Sequence, residues 1–184
     1  LIVLSSDHGG PDAALQVNNY GIEANFIDPA TWDKTLGIDN LKKQFGLGEE
    51  LIQAFNPPYV YLNSQLISNK GLDQAVIEEA VATEIMKFNG VSIAVSSKAL
   101  MQGRVPDTSL TQSILNSHNP KRSGDIFIVF EPNWYINDFD GLIVSVTHGS
   151  PWRYDTFVPV IFLGPGLKHQ RIQREIQTVD VATT

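Results

Sequence analysis

The chain has 184 residues, 42% of them hydrophobic and 18% charged, a composition that excludes a disordered segment and is long enough to bury a real core. Its net charge of −7 argues against nucleic acid as a partner, because an acidic surface gains little from counterion release; it does not bar a phosphate ester wherever bound dications dominate the local field. The absence of cysteine excludes disulfides, thiolate metal sites and cysteine nucleophiles, and no apolar run is long enough for a membrane span.

The chain opens on the apolar run Leu1 to Leu4, followed by Ser5, Ser6, Asp7, His8 and Gly9-Gly10. That pattern predicts a buried parallel strand ending in a loop. Carboxyl ends of strands carry the ligands in open α/β sheets, so Asp7 and His8 stand where such a sheet places chemistry. Asp39 to Gly46 predicts a short helix with a glycine stop, and Glu49 to Phe55 a second, ended by Asn56-Pro57-Pro58. Tyr59 to Asn63 predicts a strand. Asp73 to Asn89 is the strongest helix: Asp73 can cap it, Ile77, Val81, Ile85 and Phe88 share a face, and Gly90 ends it. Val91, Ile93 and Val95 alternate as a strand, Leu110 to Asn116 predicts a helix, and Asp125 to Phe130 another strand.

Two further apolar runs follow. Leu142 to Val146 leads into Thr147-His148-Gly149-Ser150, and Phe157 to Leu163 ends at Gly164-Pro165-Gly166. With Leu1 to Leu4 they are predicted to be strands of one central sheet. The alternation of strands and helices from Tyr59 to Phe130 predicts a small α/β subdomain. The expected organisation is a core from residues 1–33 and 141–184, with 34–140 as an inserted α/β cap. The apolar start, and the helix expected to begin within Thr178 to Thr184, mark the sequence as a piece of a longer protein.

An Asp-His pair at a strand end offers oxygen and nitrogen donors that suit zinc. An isolated Asp-His-Gly is, however, more often a turn in which the Asp caps backbone; a second strand-end histidine, His148, strengthens the metal reading. Asp155 is open between orienting a ligand histidine and a local backbone role. His118, ahead of the Arg122-Ser123-Gly124-Asp125 turn, is expected to make ordinary surface hydrogen bonds. His169 and the pair Lys121 and Arg122 are expected in solvent. Asp12, Asp28 and Asp33 are scattered acids, and Trp32, Trp134 and Trp152 are expected in packing.

Ser5-Ser6-Asp7-His8-Gly9 resembles the second-metal motif of the alkaline phosphatase superfamily. Thr147-His148-Gly149-Ser150-Pro151-Trp152-Arg153-Tyr154-Asp155, continuing through Val158-Pro159-Val160-Ile161-Phe162 to Gly164-Pro165-Gly166, resembles the late histidine motif of the bacterial PafA-like branch, which shades into type I phosphodiesterases and nucleotide pyrophosphatases. Tyr61-Leu62-Asn63, Gly71-Leu72-Asp73, Arg122 to Asp125 and Pro132-Asn133-Trp134 are similar to recurring blocks of that branch. So is Thr178 to Ala182, whereas Pro11 to Trp32 matches weakly.

The resemblance implies an alkaline-phosphatase-like sheet with helices on both faces, part of it in this chain. It implies two zinc ions about 4 Å apart. Asp7 and His8 would bind the zinc that holds the nucleophile and His148 the other, both sites being incomplete here. The nucleophile, the first metal-binding Asp and an Asp-x-x-x-His pair are expected upstream of Leu1, so no catalytic residue is assigned within the chain and the piece alone is expected to be inactive. Trp152 replaces the tyrosine usual in the motif, at a position that is not a ligand. The resemblance implies that the whole protein is periplasmic or secreted. It would take a small phosphate monoester and hydrolyse it through a phospho-enzyme intermediate. The alternatives are a phosphodiesterase or nucleotide pyrophosphatase of the same fold and, from a different class, a catalytically inactive metal-binding or structural domain. Sulfatases share the fold, but the blocks between the two motifs favour the phosphatase branch.

Overall fold

A computed structural model describes residues 1–139 and 141–183. The opening apolar run forms β1 (Ile2–Ser5), and α1 (Ala14–Asn19) follows with Ala14 and Val17 buried. Asn18 exchanges two hydrogen bonds, at 2.9 and 3.0 Å, with the backbone of Ala24 and so shapes the approach to β2 (Asn25–Phe26). A 3-10 turn at Pro29–Lys34, capped by the Asp28 carboxylate on the Ala30 N–H, leads to α2 (Leu36–Phe45). Gly46 ends α2 at φ 66°, a left-handed conformation open to glycine without steric cost.

β3 (Ile52–Asn56) and β4 (Tyr59–Leu62) form a hairpin across Pro57-Pro58, with Asn56 opposite Tyr59 and Phe55 opposite Val60. The helix expected over Glu49 to Phe55 is therefore replaced by strand from Ile52. Asn56-Pro57-Pro58 acts as a hairpin turn, not a helix stop, and cross-strand pairing outweighs local helix preference. Asn63 caps α3 (Ser64–Asn69), and Asp73 caps α4 (Gln74–Ile85) through the Ala75 N–H at 2.8 Å. β5 (Val91–Ser96), α5 (Ser97–Met101), α6 (Ser109–Ser117) and β6 (Ile126–Phe130) complete this unit; Thr108 and Thr111 form a capping box on α6.

The four strands pair antiparallel in the order β3-β4-β6-β5. β6 is apolar at every position because it is covered on both faces. Ile126 and Ile128 point into a core with Ile38 and Leu41 of α2, Ile67 of α3, and Ile77, Val81 and Ile85 of α4. Ile27 and Trp32 belong to the same core. Phe127 and Val129 face the other way, against Tyr59, Val95, Leu100 of α5 and Ile114 of α6.

Beyond the sheet, β7 (Trp134–Tyr135) pairs parallel with β2, and β8 (Asp138–Phe139) pairs antiparallel with β9 (Leu142–Ile143). α7 (Arg153–Thr156) is a single turn, and β10 (Val160–Leu163) returns antiparallel to β1, Ile2 opposite Leu163 and Ser5 opposite Val160. A 3-10 turn spans Thr178–Thr183, where a helix is expected. Among the described residues, the parallel pairing expected of the opening run and the single sheet expected of the three apolar runs are thus corrected. β1 and β10 do pair, but antiparallel, while the Leu142 to Val146 run contributes only β9, which pairs elsewhere. A continuous apolar run marks a strand but carries no direction, and all four residues of β1 are exposed, so the burial that such a run suggests is not supplied by the described residues.

Candidate functional site

β1 delivers Asp7 and His8 into the loop that follows it, and the chain after β9 delivers His148. The two histidine rings stack, with centroids 3.5 Å apart and planes inclined by 11°. Asp7 lies alongside, its Oδ2 3.7 Å from His8 Nε2. His8 Nδ1 is 2.6 Å from the Gly9 carbonyl. A carbonyl only accepts, so Nδ1 carries the proton and donates, and in the neutral ring Nε2 presents its lone pair.

The Asp7 carboxylate also does local work. Its Oδ1 accepts the His8 N–H at 3.1 Å, and Ser6 Oγ, 3.5 Å from the same oxygen, donates its proton to the His8 carbonyl at 2.6 Å. Asp7 is exposed, and its carboxyl is held below the usual carboxylate range, first by its own backbone N–H. Among the described residues, no three His, Asp or Glu side chains converge tightly enough to hold a metal ion. Asp7, His8 and His148 are neighbours without forming a closed ligand sphere.

The two loops are tied through Asp155 on α7, which is 4% exposed. Its Oδ2 accepts the Ser150 N–H at 2.7 Å, and its backbone carbonyl accepts the Gly9 N–H at 2.7 Å. Of the two roles open to Asp155, its carboxylate takes the backbone one. Gly9 has no space for a side chain: a Cβ there would lie 2.0 Å from the Tyr154 carbonyl oxygen. Trp152 anchors the same loop to the sheet, donating Nε1–H to the Phe130 carbonyl at 2.8 Å and packing against the Phe127 side of the core. Tyr135 contributes a further tie that its sequence context does not signal. Its hydroxyl accepts the Ala14 N–H at 2.9 Å and donates to the Ser145 carbonyl at 3.0 Å.

His118 departs from expectation. Both ring nitrogens are shut from solvent without a hydrogen-bond partner among the described residues, the ring lies edge-on to Tyr59 with centroids 6.3 Å apart, and burial lowers its pKa. The polar turn around it gives no sign of this, because Tyr59, which faces the ring, comes from β4, far away in sequence. Lys121, Arg122 and His169 are exposed as expected. Asp33 is a buried organiser: Oδ1 accepts the N–H groups of Leu51 and Ile52 at 2.9 and 2.7 Å, and Oδ2 is 2.6 Å from Lys42 Nζ.

No family model matches the chain. Over 185 residues it is 26% identical to alkaline phosphatase PafA of Elizabethkingia meningoseptica, across 100% of this chain and 32% of that protein. A crystal structure of wild-type alkaline phosphatase PafA superposes with a TM-score of 0.77 at 23% identity, over 98% of this chain and 33% of that one. The chain is an alkaline-phosphatase-like relative of PafA. A protein of Myroides odoratus named calcium-transporting ATPase is 29% identical over 183 residues, across 100% of this chain and 32% of that protein. The chain therefore spans about a third of the length of the curated relatives it matches. Because the PafA superposition leaves out so little of the chain, the four-stranded sheet belongs to the shared fold as much as the β1–β10 pair does. No helix among the described residues is long and apolar enough to cross a membrane.

Proposed function

We propose that this chain supplies part of the metal centre of a phosphatase whose intact form hydrolyses phosphate monoesters, with Asp7, His8 and His148 as zinc ligands. The observation that carries the reading is the stack of His8 on His148. Imidazole lone pairs lie in the ring plane. Two nearly parallel planes 3.5 Å apart cannot aim them at one ion, so the rings suit two neighbouring cations. The Gly9 carbonyl leaves Nε2 of His8 as the donor atom, and a carboxylate with imidazoles is a donor set that zinc accepts. Three donors make an incomplete pair of sites, since each zinc takes about four ligands; the remaining ligands and the nucleophile come from outside this chain.

Zinc, when bound, supplies charge neutralisation at the phosphoryl oxygens and a lowered pKa for the attacking group. The chain's own contribution is positioning. The Gly9 carbonyl sets the His8 tautomer, the His8 N–H holds the Asp7 carboxylate, and α7 holds the two loops together. In this reading residues 1–33 and 141–184 belong to the catalytic core, 34–140 form an inserted cap, and the protein works in the periplasm or outside the cell.

One observation favours the rival reading of a catalytically inactive structural domain: Asp7 already has a local role as acceptor for the His8 N–H. Replacing His148 decides between them. In the intact enzyme, His148→Ala should lower kcat on para-nitrophenyl phosphate by about 10²-fold or more and reduce the zinc retained after dialysis. Turnover near that of the wild type would remove His148 from the site.

A further inference from the structure

We propose that Asp155 is a positioning residue that sets the spacing of the two histidine-bearing loops; the inference rests on the phosphatase reading of that site. A single residue makes both connections. Its side chain receives the N–H two residues after His148, and its main chain receives the N–H one residue after His8, each at 2.7 Å. The contacts are shielded from water, since Asp155 is 4% exposed, and short bonds in such surroundings hold their geometry better than exposed ones.

The arrangement is also tight in the direction that matters. Gly9 meets the Tyr154–Asp155 backbone with no room for one more carbon, so the Asp7-His8 loop rests directly on α7. The His148 loop is fastened to the sheet by Trp152 and to α7 by the Asp155 carboxylate. Loss of the carboxylate frees the Ser150 N–H and releases the His148 loop from α7, while the Asp7-His8 loop keeps its backbone bond. The two rings then lose their common reference, although neither touches Asp155. The other carboxylate oxygen, Oδ1, is buried with no partner among the described residues, so the contact with Ser150 is the one the side chain makes.

This separates Asp155 from a group that merely fills space. Asparagine keeps an acceptor oxygen at the same place and should keep the function; alanine should not. The test uses the intact enzyme as wild type, Asp155→Asn and Asp155→Ala. Zinc affinity is read by competition with a chelator, kcat and KM on para-nitrophenyl phosphate, and folding by thermal melting. Asp155→Ala is expected to weaken zinc binding by about 10–100-fold and to lower kcat with KM changed less than about threefold, as for groups that orient metal ligands. Asp155→Asn should return zinc affinity to within about threefold of wild type.

A folded Asp155→Ala enzyme with unchanged zinc affinity overturns the proposal, as does Asp155→Asn impaired as badly as a folded Asp155→Ala. If the alanine variant does not fold, the asparagine variant decides alone: folded but weakened in zinc binding by more than about tenfold, it overturns the acceptor role. A wild-type enzyme that hydrolyses no phosphate ester sinks the functional reading instead, while zinc retention still reports on Asp155.

Discussion

Gly9→Ala tests the geometry of the site with the smallest possible change. The added methyl would sit 2.0 Å from the Tyr154 carbonyl oxygen and 3.0 Å from its carbon, both backbone atoms that cannot swing aside as a flexible side chain would. Relief requires the Asp7-His8 loop to retreat from α7 until 2.0 Å becomes about 3.4 Å. The same retreat breaks the Gly9 N–H to Asp155 bond, worth about 1 kcal/mol, and overpacking adds about 1–3 kcal/mol of strain. The larger effect should be on turnover. A shift on the order of 1 Å carries His8 off its stack on His148, and misplacement of that size costs about 10²-fold in rate where positioning dominates. Gly10→Ala is the control, since a Cβ there meets nothing within 4 Å among the described residues. Both variants of the intact enzyme are assayed for kcat, zinc retention and melting temperature. Gly9→Ala should lose about two orders of magnitude in kcat and Gly10→Ala almost nothing. Equal kcat and zinc retention in the two variants refutes the claim that α7 sets the position of His8.

Two further predictions concern the sheet. Burial raises the pKa of Glu78 above its ordinary 4.5, so the folded state holds this proton more tightly than the unfolded chain does; its contribution is fully present below 4.5 and is lost as pH rises from there through the raised value. Glu78→Gln keeps an acceptor for the Ser96 hydroxyl and the Lys98 N–H, so thermal melts of the variant should fall less between acid and neutral pH than those of the wild type; parallel curves would contradict this. Asp33→Ala strands two buried N–H groups and the Lys42 ammonium, and chemical denaturation should show a loss of about 3–5 kcal/mol, with less than about 1 kcal/mol counting against the role given to Asp33.

The parts of the fold legible in the sequence are those in which local signals agree with tertiary demand. α2 has Gly46 as its stop, α4 has Asp73 as its cap and Ile77, Val81 and Ile85 on one face, and β6 is apolar throughout because both its faces are covered. Glu49 to Phe55 misleads because its helix-like composition competes with a hairpin partner that a local window does not contain. Strand direction escapes for a related reason. Apolar runs at Leu1 to Leu4 and Phe157 to Leu163 mark two strands correctly, yet their antiparallel pairing depends on how the chain returns, which no residue in either run encodes.

The site divides along the same line. Asp7, His8 and His148 stand out because donor side chains follow apolar runs, and the structure brings both histidines into contact from opposite ends of the chain. Their support does not stand out, because most of it is main chain. The Gly9 N–H and carbonyl, the Ser150 N–H, the Phe130 carbonyl that receives Trp152, and the Ser145 carbonyl that receives Tyr135 belong to groups every residue carries. Apart from the Gly9 N–H, which meets the Asp155 main-chain carbonyl, only the acceptor or donor facing each of them has a side-chain identity, and Asp155, Trp152 and Tyr135 each have commoner uses. Substitutions should therefore divide into two sets. Changes at the histidines should remove metal with little loss of fold, whereas changes at Asp155 or Gly9 should act on metal and turnover through backbone they do not themselves replace.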